Sequence, residues 1–349
     1  MNGMVGAKKR GDGKKNQIYV IVLAAVSVGL FTLLCLLSVR IKQIPDSQQA
    51  ASRWSSEDDF AQSSVFYTEK NAPRLEQFTQ FEDTLEGIYA KEGIVPKENG
   101  RLWISAASGF GNVRITSDRG QVTVAAVGIV GDFFQFHPQK LLYGSLPLGR
   151  ENQTNGIVID EDIAWQLFGG SDVAGMEVMI GGESHVILGV ISRECDAMKK
   201  KAGADVPTVY LSYDSLSTHG FTSGLTCYEI LLPEPVSGYA KKLVENGLGV
   251  GGGMLELVEN SERYSVSSLF DVVRDFGVRS MKTTGFIYPS WENAARGWED
   301  VLAMVLVWQT VCVAVLAVGV AIGCRKMFAI LTAEISGVIE LMQSKKKGM

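Results

Sequence analysis

Residues 124–192 read VAAVGIVGDFFQFHPQKLLYGSLPLGRENQTNGIVIDEDIAWQLFGGSDVAGMEVMIGGESHVILGVIS, and their patterning decides the kind of domain this chain builds. Gly156 to Ile159 form a short run rich in β-branched residues, which favours a strand. Asp160 follows where a helix N-cap belongs, and residues 161–168 continue as a short helix with Ala164, Leu167 and Phe168 on its apolar face. Gly169-Gly170 then stops it. Residues 176–180 and 185–192 alternate as half-buried strands across a Gly181-Gly182 turn, the pattern of a hairpin. Upstream, Phe133, Phe134 and Phe136 supply bulk for a core. Strands and short helices in this order make an α+β domain.

Outward from this centre the same mixture continues. Residues 74–91 place Leu75, Phe78, Leu85, Ile88 and Tyr89 at helical spacing. Strands are predicted at 101–104, 112–115, 121–130, 206–212 and 227–232, with glycine-containing turns at 108–111 and 117–120. Residues 239–246 and 264–281 read as helices, and the glycine-rich 247–253 as a loop. Residues 41–60 are polar and continue as a juxtamembrane helix or linker.

The chain has 349 residues, 46% of them hydrophobic, and the apolar excess is concentrated at two places. Residues 18–39 (IYVIVLAAVSVGLFTLLCLLSV) and 301–324 (VLAMVLVWQTVCVAVLAVGVAIGC) contain no charged side chain. About 20 apolar helical residues cross a hydrocarbon core of about 30 Å, so both segments are long enough to span a membrane. A cleaved signal peptide has an apolar core of only about 7–15 residues, shorter than the first segment, so retention is expected. Lys8, Lys9, Arg10, Lys14 and Lys15 precede the first span, and Arg325, Lys326 and Lys345 to Lys347 follow the second. Basic outer flanks predict both termini in the cytoplasm of a two-span cell-membrane protein. The expected organisation is a flexible basic tail at 1–17, a span at 18–39, an extracytoplasmic α+β domain at 40–298, a span at 301–324, and a cytoplasmic amphipathic tail at 325–349.

Outside those flanks, 23 basic and 35 acidic residues remain, which gives the intervening section a charge of about −12. Such an acidic domain has no basic stripe for nucleic acid. Cys195 and Cys227 are the only cysteines in it. An oxidising compartment allows a disulfide between them, with two free buried thiols as the alternative.

Catalytic patterns are absent. The sequence has no GxxxxGK[ST] phosphate loop, no HExxH, no CxxC and no GxSxG elbow. His137, His185 and His219 are scattered, without metal-ligand spacing. The expectation is a non-enzyme without a cofactor. The two spans carry association signals instead. Gly319 and Gly323 form a GxxxG, Ala25 and Gly29 a second small-xxx-small pair, and Gln309 places an amide inside the second span. They predict helix association within the chain or between copies, including a homo-oligomer. In the tail, Met327, Leu331, Ile335, Val338 and Met342 share one face. With Arg325 and Lys326 they suit either the lipid surface of the bilayer or a cytoplasmic partner.

The stretch from Gly131-Asp132-Phe133-Phe134 through Leu141-Leu142-Tyr143-Gly144 and residues 157–160 to Ala164, Leu167-Phe168-Gly169, Asp172, Gly175, Gly182 and Gly189-Val190 resembles the extracytoplasmic core domain of MacB-type ABC transporter permeases. That resemblance implies a MacB-like α+β core with no catalytic centre of its own. It also implies a subunit of an export or mechanotransmission complex, partnered by a cytoplasmic ABC ATPase and a second permease subunit. Two features depart from the family pattern. Its permeases have four membrane helices, three of them after the outer domain, where this chain shows one. The segment at 325–347 also lacks the Glu-Ile-Gly-type residues with which the family docks on its ATPase. A bitopic scaffold or sensor whose outer domain binds an envelope partner is the alternative.

Overall fold

The computed structural model describes residues 2–55, 60–95, 100–147, 155–194, 196–249, 255–276 and 288–347. They form two compact units, one made of residues 1–41 and 302–349 and the other of residues 42–301. The elements in chain order are α1 (Asn2–Lys42), α2 (Ala50–Trp54), β1 (Phe60–Tyr67), α3 (Leu75–Glu92), β2 (Ile104–Ser117), β3 (Gly120–Gly131), α4 (Phe133–Phe136), β4 (Leu141–Gly144), β5 (Gly156–Asp160) and α5 (Glu161–Phe168). They continue as β6 (Glu177–Ile180), β7 (Glu183–Ile191), α6 (Ala197–Lys201), β8 (Thr208–Ser212), α7 (Tyr213–His219), β9 (Phe221–Pro233), α8 (Tyr239–Leu248), β10 (Leu255–Glu259), α9 (Val266–Arg274) and α10 (Ser290–Lys347).

Among the described residues the larger unit is built on a ten-stranded mixed sheet in the order β10-β1-β9-β2-β3-β8-β5-β7-β4, with β6 pairing β2 and β7. Most pairs are antiparallel, whereas β3 runs parallel to β8 and β5 parallel to β7. Apolar clusters fill the unit among the described residues. Ile163, Ala164 and Leu167 of α5 pack with Ile115, Ile159 and Ile187. Phe78, Phe81 and Leu85 of α3 cover Tyr228 and Ile230, joined by Ala240 and Val244 of α8. Phe133, Phe134 and Phe136 pack with Ile104, Val127 and Ile129, as their bulk predicted.

The central reading holds in detail. Asp160 caps α5 by accepting the Asp162 N–H at 2.7 Å, and Gly169 ends it with φ 77°. Gly181 and Gly182 both take positive φ in the hairpin turn, the left-handed conformation that glycine adopts without a Cβ clash. Elsewhere the structure corrects the reading. Residues 2–17 belong to α1 rather than to a flexible tail, because helix formers such as Ala7, Lys8 and Lys9 extend an established helix cheaply. The predicted turn at 108–111 is strand. Ser108 to Gly111 pair with β3 on one side and β9 on the other, and the irregularity is a register shift against β9. The helix predicted at 264–281 begins at Val266 and ends at Arg274, and residues 277–281 lie outside the described set. Strands β1, β4 and β10 have no counterpart in the periodicity reading.

The glycines of β2 are there for close approach, not for turning. A Cβ on Gly111 would lie 1.8 Å from the Phe221 carbonyl oxygen, and one on Gly109 would lie 2.5 Å from that of Gly224. Backbone cannot step aside as a flexible side chain can. We expect Gly111→Ala to lower stability by about 3 kcal/mol, read as a fall in thermal midpoint. Gly120→Ala, with open space around its Cβ, should leave the midpoint unchanged.

Candidate functional site

The opening turns of α10 carry a charge pattern that helical geometry turns to one side. Glu292, Arg296 and Glu299 are spaced by four and then three residues, so their side chains share a face. That face is buried against the larger unit. Arg263, in the turn after β10, meets it there. Its Nη1 and Nη2 donate to both oxygens of Glu292 at 2.7 and 2.6 Å, and its Nε donates to Glu299 at 2.5 Å. The Arg263 Nη1 also donates to Gln48 Oε1 at 3.0 Å. Arg296 donates from Nε to Glu292 at 2.7 Å and from Nη2 to Glu256 at 2.6 Å. Its guanidinium stands 3.9 Å from the centre of the Tyr288 ring, whose hydroxyl donates to Glu256. The side chains of Arg263, Glu292, Arg296 and Glu299 are each at most 2% exposed.

Burial alone would lower the Arg263 guanidinium, but Glu292 and Glu299 lift it well above its ordinary value. Burial pushes the Glu256 carboxyl up, and Arg296 and the Tyr288 hydroxyl outweigh that, leaving it below the ordinary carboxylate range. The cluster ties the segment that enters the unit (Gln48) to the helix that leaves it (α10), with β10 and the Arg263 turn between them. Sequence reasoning missed it, since Glu256 and Arg263 look like surface charges until the chain folds. The one legible signal was three charges on one face directly before an uncharged run.

A second buried group lies beside it. His137 Nε2 contacts Glu229, which also accepts from Ser64 Oγ at 3.0 Å, and Ser64 Oγ in turn accepts from Asn260 Nδ2 at 3.0 Å. His185 contacts Ser215 at 3.0 Å and His219 contacts Glu183 at 3.2 Å. Among the described residues no group of His, Cys, Asp and Glu is arranged to hold a metal ion. The Gly131-Asp132 turn is held by Arg101, which donates to both Asp132 oxygens at 2.7 and 2.8 Å. Gly131 has φ 77°, and a Cβ there would meet the Ser105 oxygen at 2.4 Å.

Two helices are long and apolar enough to cross a membrane, over Ile18–Lys42 and Ser290–Ile339, and most of their length belongs to the smaller unit. Gln309 Nε2 lies 3.5 Å from Cys35 Sγ, which pairs the two helices through a polar contact. Gly319 lines a cavity of about 310 Å³ with Ala24 and Leu23 of α1. Ala25, Gly29 and Gly323 are exposed, and a Cβ on Gly29 or Gly323 would meet nothing within 4 Å. Beside the predicted pair, α1 turns Ala24 and Ser27 inward instead. Arg325, Lys326, Leu331 and Ile335 lie exposed on the last part of α10. Cys227 is buried in β9, and Cys195 lies outside the described residues.

A family model described as the MacB-like periplasmic core domain matches residues 22–238. The chain belongs to that family. The match takes in the Gly131-Asp132-Phe133-Phe134 turn, the capped α5 and the β6–β7 hairpin, so it covers strands β1 to β9 with α3 and α5 and leaves α8 and β10 outside. It ends before Glu256, Arg263 and α10, and of the charge cluster it contains only Gln48. Among solved structures, the periplasmic region of MacB from Actinobacillus actinomycetemcomitans is similar at 15% identity and TM-score 0.40, over 64% of this chain and 94% of that one. The extracellular domain of the noncanonic ABC-type transporter YknZ from Gram-positive bacteria is similar at 15% identity and TM-score 0.35, over 56% of this chain and 99% of that one. No curated protein matches the chain.

Replacing Arg263 by Met strips the buried Glu299 of its guanidinium and leaves the buried Glu292 with that of Arg296 alone. The expected loss is about 3–5 kcal/mol, measured by thermal or denaturant unfolding. Glu256 supplies a pH test. Its folded carboxyl is depressed, so its contribution is complete above the ordinary carboxylate value of about 4.3 and is lost as pH falls through and below it. The midpoint difference between the native chain and Glu256→Gln should therefore be constant from neutral pH down to about 5 and shrink below about 4.

Proposed function

We propose that this chain is a non-catalytic membrane subunit of a MacB-like ABC-type export or mechanotransmission complex, driven by a separate cytoplasmic ATPase and completed by a second permease subunit. The observation that carries this reading is the family match across residues 22–238 in a chain that also has two apolar helices of spanning length. On this reading a separate ATPase supplies the energy, in keeping with the lack of a phosphate loop in these 349 residues.

On this reading both termini are cytoplasmic and the MacB-like core stands outside the cell membrane. Helix α10 runs from Ser290 to Lys347, so the charge cluster and the tail belong to one stretch of helical sequence. Arg325, Lys326, Leu331 and Ile335 provide the surface for the ATPase or for the membrane. Gln309 and Gly319 hold the two spans together, and the exposed Ala25, Gly29 and Gly323 remain for the second permease subunit or another copy of the chain.

Affinity purification from gently solubilised membranes should recover an ATPase, and deletion of 325–347 should lose it while the chain still reaches the membrane. Recovery of no ATPase sinks the proposal. Stable homo-oligomers whose function survives the deletion would support a scaffold or sensor in its place.

A further inference from the structure

A cavity of about 80 Å³ lies against the first turns of α10, walled by Phe133, His137, Asp160, Tyr210, Trp291 and Trp298 among others. Two polar groups in its wall are left unanswered by the fold. His137 is 4% exposed, and Glu229, which takes its Nε2 edge, does not line the cavity. Among the described residues the His137 Nδ1 atom has no hydrogen-bond partner, and neither does the indole N–H of Trp291. Buried polar atoms are almost always paired, so two orphans on one cavity mark a place where something else supplies the partners. A hydroxyl offers the acceptor and the donor that the two atoms need. Its oxygen accepts from the Trp291 N–H, and toward Nδ1 it donates to a neutral imidazole or accepts from a protonated one.

The charge around the cavity is negative. Asp46, Asp160 and Glu194 line it, against Lys199 alone. Lys199 is already paired to Glu194 at 3.0 Å. Asp160 spends one oxygen on the α5 cap, and among the described residues it forms no ion pair. Burial, then Asp160 and Glu194, push the Tyr210 hydroxyl up, as expected where a negative potential meets an apolar wall. Aromatic walls next to a carboxylate favour an organic cation. With one water needing roughly 10–15 Å³ on this scale, the space suits several waters or one molecule of about four heavy atoms.

We propose that this cavity binds a small amino alcohol, its ammonium against Asp160 and the aromatic walls and its hydroxyl bridging Trp291 Nε1 and His137 Nδ1. Occupancy requires no ATPase, so the site stands or falls separately from the transport reading. It would place a ligand between the MacB-like core and the root of α10, since Trp291 and Trp298 belong to that helix.

The test uses the full chain in detergent micelles with ¹⁵N-labelled indoles, near neutral pH. The chain has 6 tryptophans, and Trp291→Phe identifies the Trp291 signal by its loss. Ethanolamine should shift that signal saturably. Ethylene glycol, which lacks the charge, and propylamine, which lacks the hydroxyl, should each bind at least about tenfold more weakly. Asp160→Asn keeps a cap acceptor and should weaken ethanolamine binding by about tenfold, with the unliganded indole spectrum as the check of folding. No saturable shift up to about 50 mM ethanolamine overturns the proposal. So does equal binding of either analogue to the native chain, a comparison that needs no variant.

Discussion

Arg263 sits in the interior of the larger unit, and a guanidinium cannot shed its proton to suit that setting. Its position therefore obliges carboxylates to come to it, and Glu292 and Glu299 come from α10. Gln48 joins from the segment that follows α1, and Arg296 carries the network on to Glu256 in β10. Because Arg263, Glu292, Arg296 and Glu299 are buried and hydrogen-bonded, none of these four can leave without stranding a charge. The beginning of α10 is thus set against the edge strand of the sheet by electrostatics as well as by the apolar packing of Trp291. Trp291 follows from this, brought to 5.5 Å from Phe133 and 4.2 Å from His137 between ring centres.

The MacB-like core depends on a different constraint, backbone proximity. Gly131 and Gly111 stand where a neighbouring carbonyl leaves no room for a Cβ. The Arg101–Asp132 pair then locks the turn that presents Phe133, Phe134 and Phe136 to their cluster. The same turn ends at His137, so the core motif and the cavity beside α10 share one segment. A sheet held so closely leaves few places for adjustment, and the polar atoms unanswered at His137 and Trp291 are concentrated where the core meets the helix.

In the smaller unit the contacts are sparse and mostly apolar. Gln309 against Cys35 is its polar link between the helices, and the small residues at Ala25, Gly29 and Gly323 are left uncovered within the chain. Uncovered small residues on a spanning helix permit close approach of another helix, which is the basis for assigning them to partners.

The periodic and punctuated features were legible without a structure. Two uncharged runs, the Asp160 cap, the Gly169 stop, the Gly181-Gly182 turn and the phenylalanines after Gly131 each depend on neighbours within a few positions, and local chemistry is written locally. The turn misread at 108–111 shows the limit. Glycine signals either a turn or a close approach, and only the strand opposite tells which. Strands β1 and β10 escaped because polar residues such as Ser64 and Glu256 break the alternation, being matched by partners far along the chain. By itself, then, the sequence determined the class of domain, its membrane-length helices and its family. Only the tertiary structure decided which charges are buried, which glycines are wedged, and that His137 and Trp291 share a cavity. Those properties depend on pairs separated by about a hundred residues or more in some cases, and no local pattern encodes a partner that folding alone brings near.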